Sequence, residues 1–284
     1  MKHTIKLVNE LEKEFKSTIK KYKLCNKKEK VLVALSGGKD STTVAYLLKK
    51  LGYNIEGIHL DLKIGNYSER CLDAVKELCE DLNIELHVYD LKKEMGSGIC
   101  YLRSAIQAKP EMKGKIKNCA ICGVIKKWIF NREAKKLKAS KIATGHNLDD
   151  ECQTFLMNVF KASLKLSANI GPITRNISEI FDGKFVSRIK PLFYILEDDI
   201  REYSKIKKLP VVYEKCPCSL DSYRVQIRNF LENVSGKDKK NIIKNFDRIY
   251  KRIEKIKDTR FMECKKCGEP SRKDLCKKCE LVKF

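Results

Sequence analysis

Ser36-Gly37-Gly38-Lys39-Asp40-Ser41 follows directly on the apolar run Val31-Leu32-Val33-Ala34-Leu35. This order runs a buried strand into a glycine-rich turn that opens a helix, which is the construction of a phosphate cradle. Adjacent glycines let backbone N–H groups converge on an anion, the helix adds its positive N-terminal end, and Lys39 adds a full charge. The two glycines touch, so the loop is not a Walker A loop, which keeps four residues between its glycines. Further along, Gly145-His146-Asn147-Leu148-Asp149-Asp150-Glu151 follows the short segment Lys141–Thr144 and opens another helix. Carboxylates at a helix N-terminus complement its dipole wherever they occur. On a rim that also holds a phosphate loop they would repel a nucleotide unless Mg²⁺ or a substrate proton lay between, so Asp149 or Asp150 reads as a base or a metal contact. His146 is equally well explained by a hydrogen bond to backbone.

The chain has 13 cysteines and begins with no signal-peptide apolar block, so metal or thiol chemistry is expected in place of a disulfide framework. Cys264-x2-Cys267 and Cys276-x2-Cys279 form two knuckles, the spacing that places four thiolates around one tetrahedral Zn²⁺. So short a segment buries little core, and the metal would supply folding free energy on the order of 10 kcal/mol. Such a ribbon is expected to be stable apart from the main domain. Its lysines suit either an RNA grip or plain solvation. Cys119-x2-Cys122 stands far upstream, and Cys216-Pro-Cys218 well beyond it. Taken on the residues alone, these cysteines could hold an iron–sulfur cluster, hold a zinc ion, or relay a persulfide. Cys25, Cys71, Cys79, Cys100 and Cys152 stand alone and read as small buried hydrophobes.

Positioning these residues requires alternating strands and helices. Residues 1–27 read as a basic amphipathic helix with Ile5, Val8, Leu11, Phe15 and Ile19 on one face. Strand Val31–Leu35, helix Thr42–Leu51 and strand Ile55–Leu60 form a βαβ unit. Helix Glu69–Leu82, strand Glu85–Tyr89, helix Val124–Leu137, strand Lys141–Thr144 and strand Phe185–Ile189 extend it. The alternation predicts an α/β, Rossmann-like parallel sheet with ligands at the carboxyl ends of its strands, where Ser36–Ser41, His59–Asp61 and Gly145–Asp150 fall. Lys39 is expected on an exposed rim. Beyond Pro191 the pattern turns helical, over Glu197–Lys207, Asp221–Val234 and Lys239–Lys257, with a boundary near Arg260. Four regions result: helix 1–27, the α/β domain 28–195, a helical extension 196–259 and the cysteine ribbon 260–284.

The formal charge of +23, from 60 Lys and Arg against 37 Asp and Glu, points to a polyanionic partner larger than a nucleotide, with nucleic acid first. Residues 236–284 alone carry 17 basic against 8 acidic side chains, which favours an RNA-facing end. No run of 18 apolar residues occurs, so no membrane partner is expected and the reading is cytoplasmic. Arg224 and Arg228 share a helix face at i and i+4, a spacing able to clamp adjacent phosphates.

Ser36–Ser41 resembles the PP-loop of the ATP pyrophosphatases, which cleave ATP between the α and β phosphates. That loop, Cys119-Ala120-Ile121-Cys122-Gly123-Val124, Gly145–Glu151 and Cys216-Pro217-Cys218-Ser219-Leu220-Asp221-Ser222-Tyr223-Arg224 occur in the order seen in PP-loop tRNA thiolases. The likeness is greatest to archaeal and eukaryotic cytosolic tRNA 2-thiouridine synthetases, over about residues 28–260, with a terminal zinc ribbon of the family type. The resemblance implies that ATP adenylates a tRNA uridine at O2, the wobble position foremost, and that sulfur then displaces AMP. On this reading Ala34, Ser36, Gly37, Gly38, Lys39, Ser41 and Gly145 hold ATP, Asp40 caps the helix or meets Mg²⁺, and His59 and Leu60 border adenine. Cys119, Cys122 and Cys216 would hold a [4Fe–4S] cluster with one iron open, and Arg224 and Arg228 would meet tRNA. Sulfur would come as sulfide or from a carrier protein.

Two features depart from the family pattern: no knuckle pair precedes the first helix, and Cys218 stands where relatives commonly have another residue. Cys216 is preferred as the third ligand for its Pro-x-Ser context, and Cys218 is a substitute or a sulfur relay. A 2-thiocytidine synthetase would differ by a second Cys-x2-Cys pair. An amidating or lysidine-forming enzyme would need no sulfur-binding cysteines, and a non-catalytic zinc and RNA-binding scaffold no phosphate loop. The oligomeric state is left open, a homodimer included.

Overall fold

The structure, a computed structural model, describes residues 2–114, 116–167, 170–174, 184–219, 223–250 and 262–282. Five strands, β1 (Val31–Leu35), β2 (Ile55–Asp61), β3 (Leu86–Asp90), β4 (Lys141–Ala143) and β5 (Ser187–Ile189), pair in parallel in the order β3-β2-β1-β4-β5. Val31, Leu32 and Val33 are fully buried because helices cover both faces, which is why the central strand reads as a continuous apolar run. The strand order reverses between β1 and β4. At such a switch point the loops following the two strands part to opposite faces and leave a crevice at the carboxyl ends.

The described helices are α1 (Lys2–Tyr22), α2 (Lys39–Lys50), α3 (Gly65–Asp81), α4 (Leu91–Met95), α5 (Ile99–Gln107), α6 (Asn118–Lys136), α7 (Leu148–Phe160), α8 (Leu164–Ser167), α9 (Glu197–Ile206), α10 (Tyr223–Glu232), α11 (Gly236–Tyr250) and α12 (Lys277–Leu281). Helix α1 seats Leu11, Phe15 and Ile19 in the core beside Val44, Leu48 and Tyr203, while Ile5, near its free end, stays 55 % exposed. Helix α6 starts six residues before the predicted Val124. That early start puts Cys119 and Cys122 one turn apart at i and i+3, a spacing that shares a helix face. Helices α10 and α11 bury Ile227, Leu231 and Ile243 against α7, with Phe155 and Phe246 in ring contact at 5.0 Å. The helical extension is thereby packed onto the helix that opens with Asp149 and Asp150.

A two-stranded antiparallel ribbon, β6 (Met262–Glu263) with β7 (Pro270–Ser271), carries the terminal cysteines. Leu281 of α12 is fully buried in the same cluster as Ile121 and Ile125 of α6, so ribbon and main domain share core. The predicted boundary near Arg260 lies outside the described residues. Among the described residues no helix is long and apolar enough to cross a membrane.

Candidate active site

A cavity of about 330 Å³ opens at the switch point. Of the residues singled out in the sequence, Ala34, Ser36, Asp40, Ser41, His59, Leu60, Gly145, Asp150 and Cys216 line it. Tyr67, Lys126, Thr144 and His146 line it too. Lys126 had one signal in the sequence, its place one helical turn after Cys122. Gly37, Gly38, Lys39 and Asp149 are absent from the lining.

The loop is held in shape before any ligand arrives. Ser36 N–H donates to Ser41 Oγ at 3.1 Å, the two hydroxyls lie 3.1 Å apart, and Gly38 N–H reaches Ser36 Oγ at 3.4 Å. Gly37 has φ +78° and faces α3, where a Cβ would stand 2.8 Å from backbone atoms of Cys71. Val212 N–H donates to Gly37 O at 2.9 Å and ties the strand of chain leading to Cys216 onto the loop. Gly145 lets the β4 loop press on the start of α2: a Cβ there would lie 2.7 Å from Ser41 N and 2.8 Å from Asp40 C.

Lys39 is 9 % exposed, not on an exposed rim, because its ammonium sits between Asp40 and Glu197, each at 2.9 Å. Burial pulls its pKa down, and the two carboxylates outweigh that and hold it above the ordinary lysine range. Glu197, which no motif marked, begins α9 and reaches the loop only through the tertiary fold. Asp40 also accepts from Asn147 Nδ2 at 3.0 Å, and burial raises its pKa. Asp150 is likewise raised by burial against the opposing pull of Arg224, whose Nη1 lies 3.4 Å away. Asp149 turns from the cavity, accepting from Lys239 at 2.7 Å and from Glu197 N–H at 2.8 Å.

His59 donates Nδ1–H to Leu35 O at 3.0 Å, which leaves Nε2 a buried acceptor without a partner. Burial lowers its pKa and keeps the ring neutral. His146 is pushed down to about 3 by burial and then by Lys190 and Arg224, and its Nδ1 lies 2.9 Å from Thr144 Oγ1. Arg224 spends its donors on Asp150, on Gln153 at 3.3 Å and on Thr154 at 3.2 Å, so it braces α7. Arg228, one turn on, has a buried Nε without a partner.

Of the three cysteines singled out as cluster ligands, Cys216 lines the same cavity, and Cys119 and Cys122 do not. Cys119 Sγ is 4.0 Å from Cys218 O on the adjoining turn. Burial raises the thiols of Cys119, Cys122 and Cys216. The three sulfurs do not crowd within 4.8 Å of one another, as the four ribbon cysteines do. A single tetrahedral ion needs that crowding, which the ribbon cysteines meet and the other three do not, whereas a cubane takes each thiolate on a separate iron. Among the isolated cysteines, Cys71, Cys79 and Cys152 are buried as expected, and Cys25 is only half-buried against the core. Cys100 is exposed, with its sulfur 3.9 Å from that of Cys218, because α5 brings it to the outer wall of the site.

The ribbon docks on α6, the helix that bears Cys119 and Cys122. Glu269 accepts from Asn131 at 2.6 Å and pairs with Lys135, while the Lys278 ammonium lies 4.1 Å from the Trp128 ring.

Comparison with known proteins agrees with this geometry. A profile of the PP-loop domain matches residues 7–234. A tRNA-5-methyluridine(54) 2-sulfurtransferase of Pyrococcus horikoshii is 35 % identical over 95 % of this chain and 83 % of its own length. The tRNA 2-thiolation protein NcsA of Haloferax volcanii is 32 % identical, over 88 % of this chain and 81 % of its own. The solved U34-tRNA thiolase NcsA of Methanococcus maripaludis, with its [4Fe–4S] cluster, superposes with a TM-score of 0.74 at 30 % identity, covering 93 % of this chain and 84 % of that one. A PP-loop profile spanning most of the chain, together with tRNA 2-thiolation relatives at 30 % identity or more along most of both lengths, shows that the chain belongs to the PP-loop family of tRNA 2-thiolation proteins.

Proposed function

We propose that the chain is an ATP-dependent tRNA-uridine 2-sulfurtransferase. One observation carries the reading: a single cavity joins the phosphate loop to Cys216, so an activated carbon formed over the loop lies beside the sulfur-bearing wall. The hydroxyls of Ser36 and Ser41, the N-terminus of α2 and Lys39 receive the phosphates of ATP. Asp40 and Asp150 both line the cavity and provide the oxygen donors that Mg²⁺ prefers, which offsets their repulsion of the triphosphate. His59 Nε2 accepts from the adenine amino group. Uridine O2 attacks the α-phosphorus, pyrophosphate departs along the loop, and O2 becomes a good leaving group as AMP. Asp150 orients the attacking base edge through its oxygen. Sulfide, free or delivered by a carrier protein, adds to C2 and AMP leaves. A [4Fe–4S] cluster on Cys119, Cys122 and Cys216 would supply an iron position free of protein ligands at which sulfide is held. Lys126 puts a positive charge at that end, and the basic extension 196–259 with Arg228 faces the tRNA backbone.

The relatives' names divide between position 54 and position 34. Nucleoside mass spectrometry of tRNA from a strain lacking the protein tests both reaction and position. Loss of 2-thio-5-methyluridine assigns position 54 and loss of a wobble 2-thiouridine assigns position 34. Unchanged 2-thiouridines of both kinds would refute the proposal.

The four ribbon cysteines are proposed to hold one Zn²⁺. Cys279→Ser should lower zinc content and, by freeing Leu281 from the core beside α6, destabilise the main domain by roughly 2 kcal/mol, the worth of one buried leucine. Calorimetry checks this: an unshifted main transition in a zinc-free variant would show that the ribbon folds apart.

A further inference from the structure

A second pair of cysteines adjoins the three-thiol wall. Cys100, on the first turn of α5, is exposed, and Cys218 is half-buried. Their sulfurs touch at 3.9 Å, and one nitrogen, Arg103 Nη2, donates to both, at 3.3 Å to Cys100 and 3.2 Å to Cys218. A shared donor holds the two sulfurs side by side. The carbonyl of Cys218 lies 4.0 Å from Cys119 Sγ, so the pair has an outer member open to solvent and an inner member against the site wall. An exposed thiol in contact with another thiol adds nothing to a hydrophobic core. At 3.9 Å the two sulfurs stand within about 2 Å of the separation of a disulfide bond.

We propose that Cys100 and Cys218 form a dithiol that takes sulfane sulfur from a persulfide donor, R–S–SH, and releases it as sulfide next to Cys119 and Cys216. The inference rests on the sulfur-transfer reading above, which consumes sulfur at the sulfide level, whereas a persulfide carries it two electrons more oxidised. Cys100 attacks the terminal sulfur of the donor: the donor S–S bond breaks, a Cys100 Sγ–S bond forms, and the donor leaves as R–SH with the proton of the Cys100 thiol. Cys218 then attacks Cys100 Sγ, forming the Cys100–Cys218 disulfide and expelling the terminal sulfur as H₂S with the proton of the Cys218 thiol. The sulfane sulfur gains two electrons and the two cysteines lose them. An external dithiol reductant restores the pair by exchange.

The test uses the full chain, reduced and freed of reductant under anaerobic conditions, and given an equimolar amount of glutathione persulfide without ATP or tRNA. Expected are equal molar yields of sulfide and of a Cys100–Cys218 disulfide located by non-reducing peptide mass spectrometry. Cys218→Ser should lose sulfide release and retain one extra sulfur on Cys100, and Cys100→Ser should lose both release and disulfide. Release that persists in Cys218→Ser, absence of release from the unaltered protein, or a disulfide joining other cysteines would each overturn the proposal. Thiolation of tRNA by the unaltered protein supplied with inorganic sulfide is measured separately. Its failure would remove the sulfurtransferase reading, while the persulfide assay reports on the pair alone.

Discussion

Alanine at Cys119, Cys122 or Cys216 abolishes tRNA thiolation while ATP- and tRNA-dependent pyrophosphate release continues; this is the expected result if the two ends of the cavity perform separate steps. The phosphate loop and its bracing contacts, Ser36 to Ser41, Val212 to Gly37 and Lys39 to Glu197, involve none of the three cysteines. Two of the thiols stand on the first two turns of α6 and the third on the turn after residue 215, so each replacement removes one sulfur and little volume. Cys119 is exposed and Cys122 and Cys216 are half-buried, so the loss costs about 1 kcal/mol at most, too little to unfold the domain. Iron and acid-labile sulfide should fall together with thiolation in each variant prepared anaerobically. An iron-free protein that thiolates tRNA at the full rate would sink the cluster reading in favour of persulfide transfer. Loss of iron in Cys218→Ala, with iron retained in Cys216→Ala, would move the third ligand by two residues.

The second large effect belongs to Lys39. Lys39→Ala should reduce pyrophosphate release roughly 10²- to 10³-fold, the usual consequence of deleting one preorganised charge from a phosphate-transfer site. The structure adds a stability cost that the motif by itself does not disclose. Lys39 is buried between Asp40 and Glu197, and its removal leaves two partly buried carboxylates facing one another, a loss on the order of 3 kcal/mol. Glu197→Gln separates the two effects, since it breaks the ion pair and keeps the cation. Its melting temperature should fall with pyrophosphate release largely kept. Undiminished release in a folded Lys39→Ala protein would mean that the loop does not hold the reacting phosphates.

The distinction between local and long-range information runs through the whole molecule. The strand Val31–Leu35, the glycine turn and the helix after it were legible because each depends on neighbours a few residues away: continuous apolar burial, a positive φ at Gly37, and an N-terminal dipole. Cys264, Cys267, Cys276 and Cys279 were legible for the same reason, since knuckle spacing alone brings four sulfurs within reach of one ion. The alternation of strands and helices also determined the sheet type, and with it the rim on which Ser36, His59 and Asp150 meet. What spacing could not decide was the division of labour between chemically identical neighbours. Asp149 and Asp150 are adjacent in sequence, yet helical rotation turns one toward Lys239 and the other into the cavity. Cys100 was indistinguishable from Cys71 or Cys79 by any local pattern, and only the placement of α5 beside the Cys216 turn sets it against Cys218, 118 residues away. Arg224 and Arg228 share one helix face, but packing on α7 commits the first to Asp150, Gln153 and Thr154. Glu197, 158 residues from Lys39, carries no motif at all. Local sequence determined which elements form and which chemistry they can bear, because turn geometry, helix dipoles and ligand spacing act over a few residues; tertiary packing decided which side chains face one another, because those contacts depend on distances that no short stretch of chain encodes.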